Sequence, residues 1–182
     1  LRGRYSIQDL QEADRYARLF GMQLVPCVQT LAHVNQFFMW EKVEYAYKDI
    51  DDVLNVGNEK VKALLERMIS SLRKAFSTDI IHIGMDEAYN LGRGHYLDEN
   101  GLKSKPQIML EHLDFMKGLC KKYGFKPIIW DDMFFMHYSN IEGESSFAIP
   151  DDIGLMYWDY YNCSCDHYVA RIKQRRSIAK QT

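Results

Sequence analysis

A length of 182 residues confines the chain to one domain or part of one. Hydrophobic residues at 47% and charged residues at 26% are the proportions of an ordinary globular protein. A net charge of −2 argues against a general nucleic-acid binder, which carries a basic surplus. No apolar run reaches the ~20 residues of a membrane span, so no membrane partner is expected. The four cysteines, Cys27, Cys120, Cys163 and Cys165, lack the spacing of a disulfide framework. Free thiols are expected, and with them a reducing, cytoplasmic location.

In chain order, Ser6 caps a helix that runs to Phe20, with Gly21 as its stop. A strand follows over residues 24–29. The next helix, over residues 59–76, puts Val61, Leu64, Leu65, Met68, Ile69 and Leu72 on one stripe. It leads into a strand over 80–85 and a helix over 106–123 that Gly124 ends. Strands over 127–130 and 153–158 complete the set, and a last helix starts near Asp166. The strands are almost continuously apolar, as strands buried on both faces of a parallel sheet are.

Helices alternating with such strands predict an α/β fold. No Gly-x-Gly-x-x-Gly or Walker loop follows a strand, so the nucleotide folds lose ground to the (β/α)8 TIM barrel. Barrel chemistry sits where strands end, and all four strands here end in functional residues. The first runs into Gln29, Thr30 and His33, and the second into Asp86 and Glu87. The third runs into Trp130, Asp131 and Asp132, and the fourth into Tyr157, Trp158, Asp159 and Tyr160. Four strands are too few to close a barrel of eight strand–helix units. Residues 1–182 are therefore expected to be the central part of one, without its first and last strands, and prone to self-association through open edges. The basic residues Arg171, Lys173, Arg175, Arg176 and Lys180 read as the solvated face of an outer helix. His95, His112, His137 and His167 match no motif and read as surface residues.

Asp86-Glu87 is the centre of the functional reading. Adjacent carboxylates in a dry site raise each other's pKa, which a proton-donating acid needs. Neighbouring strand residues point to opposite sides. A retaining glycosidase with an enzyme nucleophile needs its two carboxyl groups ~5–5.5 Å apart across one bond. An adjacent pair fits a division of labour better, with Glu87 reaching the leaving oxygen and Asp86 gripping another part of the substrate.

The stretch His82-Ile83-Gly84-Met85-Asp86-Glu87 resembles the His-x-Gly-x-Asp-Glu motif of glycoside hydrolase family 20, the β-N-acetylhexosaminidases. Pro26-Cys27-Val28-Gln29-Thr30-Leu31-Ala32-His33 is similar to that family's Pro-x-x-Gln-Thr-Leu-Gly-His, and Arg2-Gly3-Arg4-Tyr5-Ser6 to the segment before it. Ile129-Trp130-Asp131-Asp132-Met133 and Tyr157-Trp158-Asp159-Tyr160 resemble its next two strand ends. The likeness leans to the hexosaminidase D-like branch. Ala32 and Met85 stand where glycine is usual, and neither change removes a functional group.

The resemblance implies substrate-assisted retention on terminal β-linked N-acetylhexosamine, with no cofactor and no metal. The substrate's acetamido oxygen would attack the anomeric carbon and form an oxazolinium. Asp86 would orient the acetamido N–H, and Glu87 would serve as acid and then base. By similarity, His33 joins a hydrogen-bond relay to Glu87, and Trp130 and Trp158 wall the acetamido pocket. Either Tyr157 or Tyr160 donates to the acetamido oxygen, and Asp159 binds a sugar hydroxyl. The family's sugar-gripping Arg on an earlier strand has no counterpart before Leu1. The partners implied are N-acetylhexosamine-containing glycans. Two rival readings are a metal-dependent barrel hydrolase using His33, His82, Asp86, Glu87 or His95, and a carbohydrate-binding or inert fragment. The first is disfavoured because no His-x-His or His-Glu-x-x-His spacing occurs.

Overall fold

The computed structural model describes residues 3–137 and 149–177, excepting the side chains of Met136 and His137. Arg2 and Lys180 lie outside the described residues. Helix α1, Ile7–Leu19, starts as its sequence dictates. The Ser6 side chain accepts from the Asp9 N–H, and the Asp9 carboxylate accepts from the Ser6 N–H, so two otherwise orphaned donors are satisfied. Ser104 and Gln107 do the same for α6, Lys105–Lys122. Asn58 caps α4, Glu59–Ala75, whose buried stripe is Val61, Leu65, Ile69 and Ala75.

Strands β3 (Ile80–His82), β4 (Lys126–Trp130) and β5 (Gly154–Met156) form a parallel sheet in that order. The first expected strand contributes only a single bridge, Cys27 to His82, between two backbone hydrogen bonds of 2.9 Å. All four runs therefore lie side by side and parallel. Burial on both faces does not follow, because the helices cover one face only. Ile81, Ile129 and Leu155 are buried in the core that also holds residues of α4 and α6, whereas Ile128, Trp130 and Met156 on the other face keep part of their surface.

Residues 34–58, where the patterning gives no element, fold into α2 (Asn35–Phe38), α3 (Glu41–Tyr47) and an antiparallel hairpin of β1 (Lys48–Ile50) and β2 (Val53–Leu54). Helix α5, His95–Asn100, follows the acidic pair, and Met133–His137 is a single π-helical turn after β4. The last helix, α7, is Cys165–Arg176. Its basic face is not wholly solvated. Arg175 is buried, bonds both oxygens of Asp131, and lies between the rings of Phe135 and Tyr157 at 4.4 Å from each centroid. An Arg that stacks and forks in this way is a packing element, not a surface charge. His112 is also buried, against the surface reading, with Nε2 2.9 Å from the Thr30 carbonyl oxygen. No helix among the described residues is long and apolar enough to cross a membrane.

Candidate active site

The site begins where β3 stops being a strand. The Ile83 N–H still reaches the Ile128 carbonyl and the Gly84 carbonyl still accepts from Trp130. Then φ turns positive at Gly84 (71°), Met85 (74°) and Glu87 (52°). Strand alternation is lost within these residues, so Asp86 and Glu87 do not point apart as expected. Both reach one imidazole: His33 Nε2 lies 3.2 Å from Asp86 Oδ2 and 3.4 Å from Glu87 Oε2.

His33 has a positive φ of its own, 58°. Its N–H donates to Asp52 Oδ2 at 3.1 Å, and its Nδ1 lies 3.6 Å from the same oxygen. A carboxylate on that side favours an imidazole whose other nitrogen works on the acidic pair. Gln29 Nε2 donates to Asp86 Oδ1 at 3.0 Å, so each oxygen of Asp86 has its own partner. The Gln29 amide crosses Gly84 so closely that a β-carbon there would sit 2.0 Å from Oε1. Thr30 Oγ1 donates to the Ile83 carbonyl at 2.7 Å and ties the two strand ends together.

Asp132 holds Glu87 from the other side. It is buried, and it accepts the Glu87 N–H at 3.1 Å and the Trp158 indole N–H at 3.3 Å. Burial pushes its carboxyl up, while those two donors oppose the shift. The Tyr89 phenol lies near enough to the Glu87 carboxylate to feel its charge. Burial first, and the neighbouring Glu87 carboxylate second, raise the phenol above its ordinary value. Trp130 lies over the buried His82 ring, centroids 4.4 Å apart. His82 Nδ1 accepts the Gly84 N–H at 3.1 Å, and burial holds the imidazole below its usual pKa, hence neutral.

The remaining expected residues form a second cluster. Tyr157 donates to Asp159 Oδ2 at 2.8 Å, and His167 Nε2 lies 3.1 Å from the same oxygen. The Asp159 carboxyl is held well below the carboxylate range, first by the Tyr161 N–H. The Tyr157 phenol is pushed up to about 12, first by burial and then by Asp159. These groups line a cavity of about 540 Å³ together with Trp158, which also bonds Asp132 and so touches both clusters. Tyr160 is 80% exposed and rests obliquely on Trp158. His33, Asp86 and Glu87 are thus in direct contact, Trp158 is joined to Glu87 through Asp132, Trp130 rests on His82 beneath Gly84, and Tyr157 and Asp159 are turned toward the cavity. Among the described residues no three of His, Cys, Asp and Glu are grouped as the ligands of an ion would be.

Sequence reasoning did not single out Asp52, Tyr89 or His167. Asp52 had a signal in the Asp51-Asp52 pair ahead of an apolar Val53-Leu54, a two-residue hairpin loop. Tyr89 had only its nearness to the acidic pair, and His167 none. What the arrangement offers chemically is a carboxyl group, Glu87, positioned at a rim by His33 and Asp132, beside a carboxylate whose oxygens are both engaged. That is equipment for proton transfer at one atom and for orientation at another.

The catalytic domain of glycosyl hydrolase family 20 matches residues 1–175. Hexosaminidase D of Bos taurus is 26% identical over 165 residues, 86% of this chain and 47% of its own length. Human hexosaminidase D is 25% identical over 167 residues, 86% of this chain and 33% of its own length. The chain thus spans about half or less of these relatives. Among solved structures, a β-N-acetylhexosaminidase from Bacteroides fragilis superposes with a TM-score of 0.69 at 18% identity, over 97% of this chain and 35% of that one. An exo-β-N-acetylglucosaminidase from Vibrio harveyi gives 0.69 at 12% identity, over 93% of this chain and 27% of that one. The parallel strand–helix units are those of an incomplete part of a (β/α)8 barrel. With Asp86 and Glu87 at the end of its β3 strand, the chain belongs to glycosyl hydrolase family 20.

Proposed function

We propose that this chain carries the catalytic centre of a β-N-acetylhexosaminidase that removes terminal β-linked N-acetylhexosamine from glycans with retention. The observation that carries the reading is the meeting of Asp86 and Glu87 on the one imidazole of His33. Two carboxylates so close share one side of the reacting bond and do not flank it, which suits a mechanism whose nucleophile is the substrate's own acetamido oxygen. Asp86, held by Gln29 and His33, is placed to orient the acetamido N–H and to offset the positive charge of the oxazolinium. Glu87 gives its proton to the leaving oxygen and then takes one from the attacking water. Trp130 and Trp158 supply apolar walls for the acetamido methyl, and Tyr157 and Asp159 polar contacts to the sugar.

Replacing Glu87 by Gln in the full-length enzyme tests the assignment. Turnover of N-acetylglucosaminides with poor leaving groups should fall by about 10²–10⁴, the usual worth of a general acid. Dinitrophenyl glycosides, whose leaving group needs little protonation, should lose far less. Equal losses on both would show that Glu87 is not the acid.

A further inference from the structure

The chain that leaves β5 is folded around one carboxylate. Asp159 Oδ1 accepts the N–H groups of Tyr161 at 2.8 Å and Asn162 at 3.2 Å. Oδ2 receives three side-chain donors: the Tyr157 phenol at 2.8 Å, His167 Nε2 at 3.1 Å, and the Asn162 amide. A carboxylate only accepts, so the His167 nitrogen that faces it carries a proton. One oxygen has two lone pairs, so three donors exceed what Oδ2 can hold at full strength. The Tyr168 hydroxyl fixes the loop, donating to the carbonyl of Asn162 at 2.6 Å. The Tyr157 ring is held by Arg175, 4.4 Å from its centroid, and by the Tyr168 ring set edge-on to it.

Of the three donors, only the phenol can turn its hydrogen elsewhere without moving its heavy atoms, by rotation about the C–O bond. The hydrogens of His167 Nε2 and of the Asn162 amide are fixed in the planes that carry them. Tyr157, Asp159 and His167 all line the cavity of about 540 Å³, so the phenol opens onto the space a ligand would fill. We propose that His167 is a positioning residue that keeps hold of Asp159 while the Tyr157 phenol leaves it for the substrate's acetamido oxygen. The inference rests on Tyr157 being a sugar contact of the proposed hexosaminidase. In the free protein the phenol proton lies on Asp159, and in the complex it lies on the substrate. With His167 in place, Oδ2 goes from three donors to two, and each remaining bond tightens. Without His167 it goes from two to one, and the oxygen loses a bond that it had used in full. Part of the binding energy then goes into releasing the phenol and no longer serves the reaction.

A double-mutant cycle in the full-length enzyme separates this role from a merely structural one. His167→Phe keeps an aromatic ring and removes the donor, and Tyr157→Phe removes the phenol that has to be released. On an aryl N-acetylglucosaminide, His167→Phe should lower kcat/KM by about tenfold, as loss of a bond to a charged group implies. In the Tyr157→Phe background the same change should cost less than about twofold, because no phenol then leaves Asp159. His167→Gln, whose amide can donate to Asp159, should recover most of the tenfold loss. His167→Ala, smaller and equally without a donor, repeats the cycle should the Phe ring disturb the fold. Equal losses in the two backgrounds, or no loss from removing the donor, would overturn the proposal. If Tyr157→Phe itself leaves kcat/KM unchanged, Tyr157 is not a sugar contact and the reading beneath the proposal fails first. The assignment of Glu87 stands or falls separately, on its leaving-group dependence.

Discussion

Gly84 shows how little room the site leaves at the level of one residue. Its φ of 71° lies where a side chain costs ~1–3 kcal/mol, and a β-carbon would also meet Gln29 Oε1 at 2.0 Å and the Val28 carbonyl oxygen at 3.1 Å. Gly84→Ala should therefore do two things at once. It should lower stability by about 1–3 kcal/mol, read from denaturant midpoints, through backbone strain alone. It should also push the Gln29 amide off Asp86 and lower kcat/KM in the full-length enzyme, because the glutamine can yield only by moving away from the carboxylate it holds. Unchanged activity in a destabilised variant would mean that Gln29 does not orient Asp86. Met85 is the informative neighbour: it carries a side chain at φ 74° and is nevertheless fully buried. Positive φ at Gly84, and strain tolerated at Met85 and Glu87, are the physical reason that adjacent carboxylates can share a partner.

At the level of elements, His112 is where the helical layer grips the rim. It lies on α6, and its Nε2–H reaches the carbonyl of Thr30, whose hydroxyl is bonded to β3's continuation. Burial depresses the imidazole to about 4 from its ordinary 6.5. The folded protein thus refuses a proton that the unfolded chain accepts between those two values. The associated stability is complete above pH 6.5 and is lost as the pH falls toward 4, amounting to about 2 kcal/mol at about pH 5. Denaturant midpoints at about pH 7 and about pH 5 should differ less in His112→Gln than in the parent by that amount. An unchanged difference would show that the histidine is not the group refusing the proton. This residue also marks a limit of the sequence: its helix was legible from apolar spacing and from Ser104, but nothing in a lone His tells a buried hydrogen bond from a solvated one. The hairpin of Lys48–Ile50 and Val53–Leu54 escaped for a different reason. Its strands are too short to show alternation, and its role lies in three aspartates, Asp49, Asp51 and Asp52, each facing a different partner distant in sequence. By contrast, the four strand ends were legible because parallel strands bury apolar runs and stop abruptly at polar residues. The contact between His33 and the acidic pair was not derivable from spacing, since regular strand geometry would have set the carboxylates apart.

On the scale of the whole molecule, the four parallel runs make a ladder with two ends among the described residues. The Pro26–Val28 backbone pairs only with β3, and β5 pairs only with β4. A closed barrel has no such ends, because each strand finds its next neighbour around the ring. An open ladder presents rows of unpaired N–H and C=O groups, which other chains can extend. The face away from the helices adds apolar surface to those edges, including Trp130, Ile128 and Met156, the last 39% exposed. Charge does little to prevent association, since −2 over 182 residues is a weak repulsion. A polypeptide of just these 182 residues should therefore self-associate. Light scattering across a concentration series should show apparent mass rising with concentration. Substituting Lys for Met156 should reduce the effect, because a charge beside an open edge blocks strand addition. The substitution lies on a half-exposed face and leaves Asp86, Glu87 and His33 untouched. A monomer at every concentration would mean that the edges are covered within the chain itself.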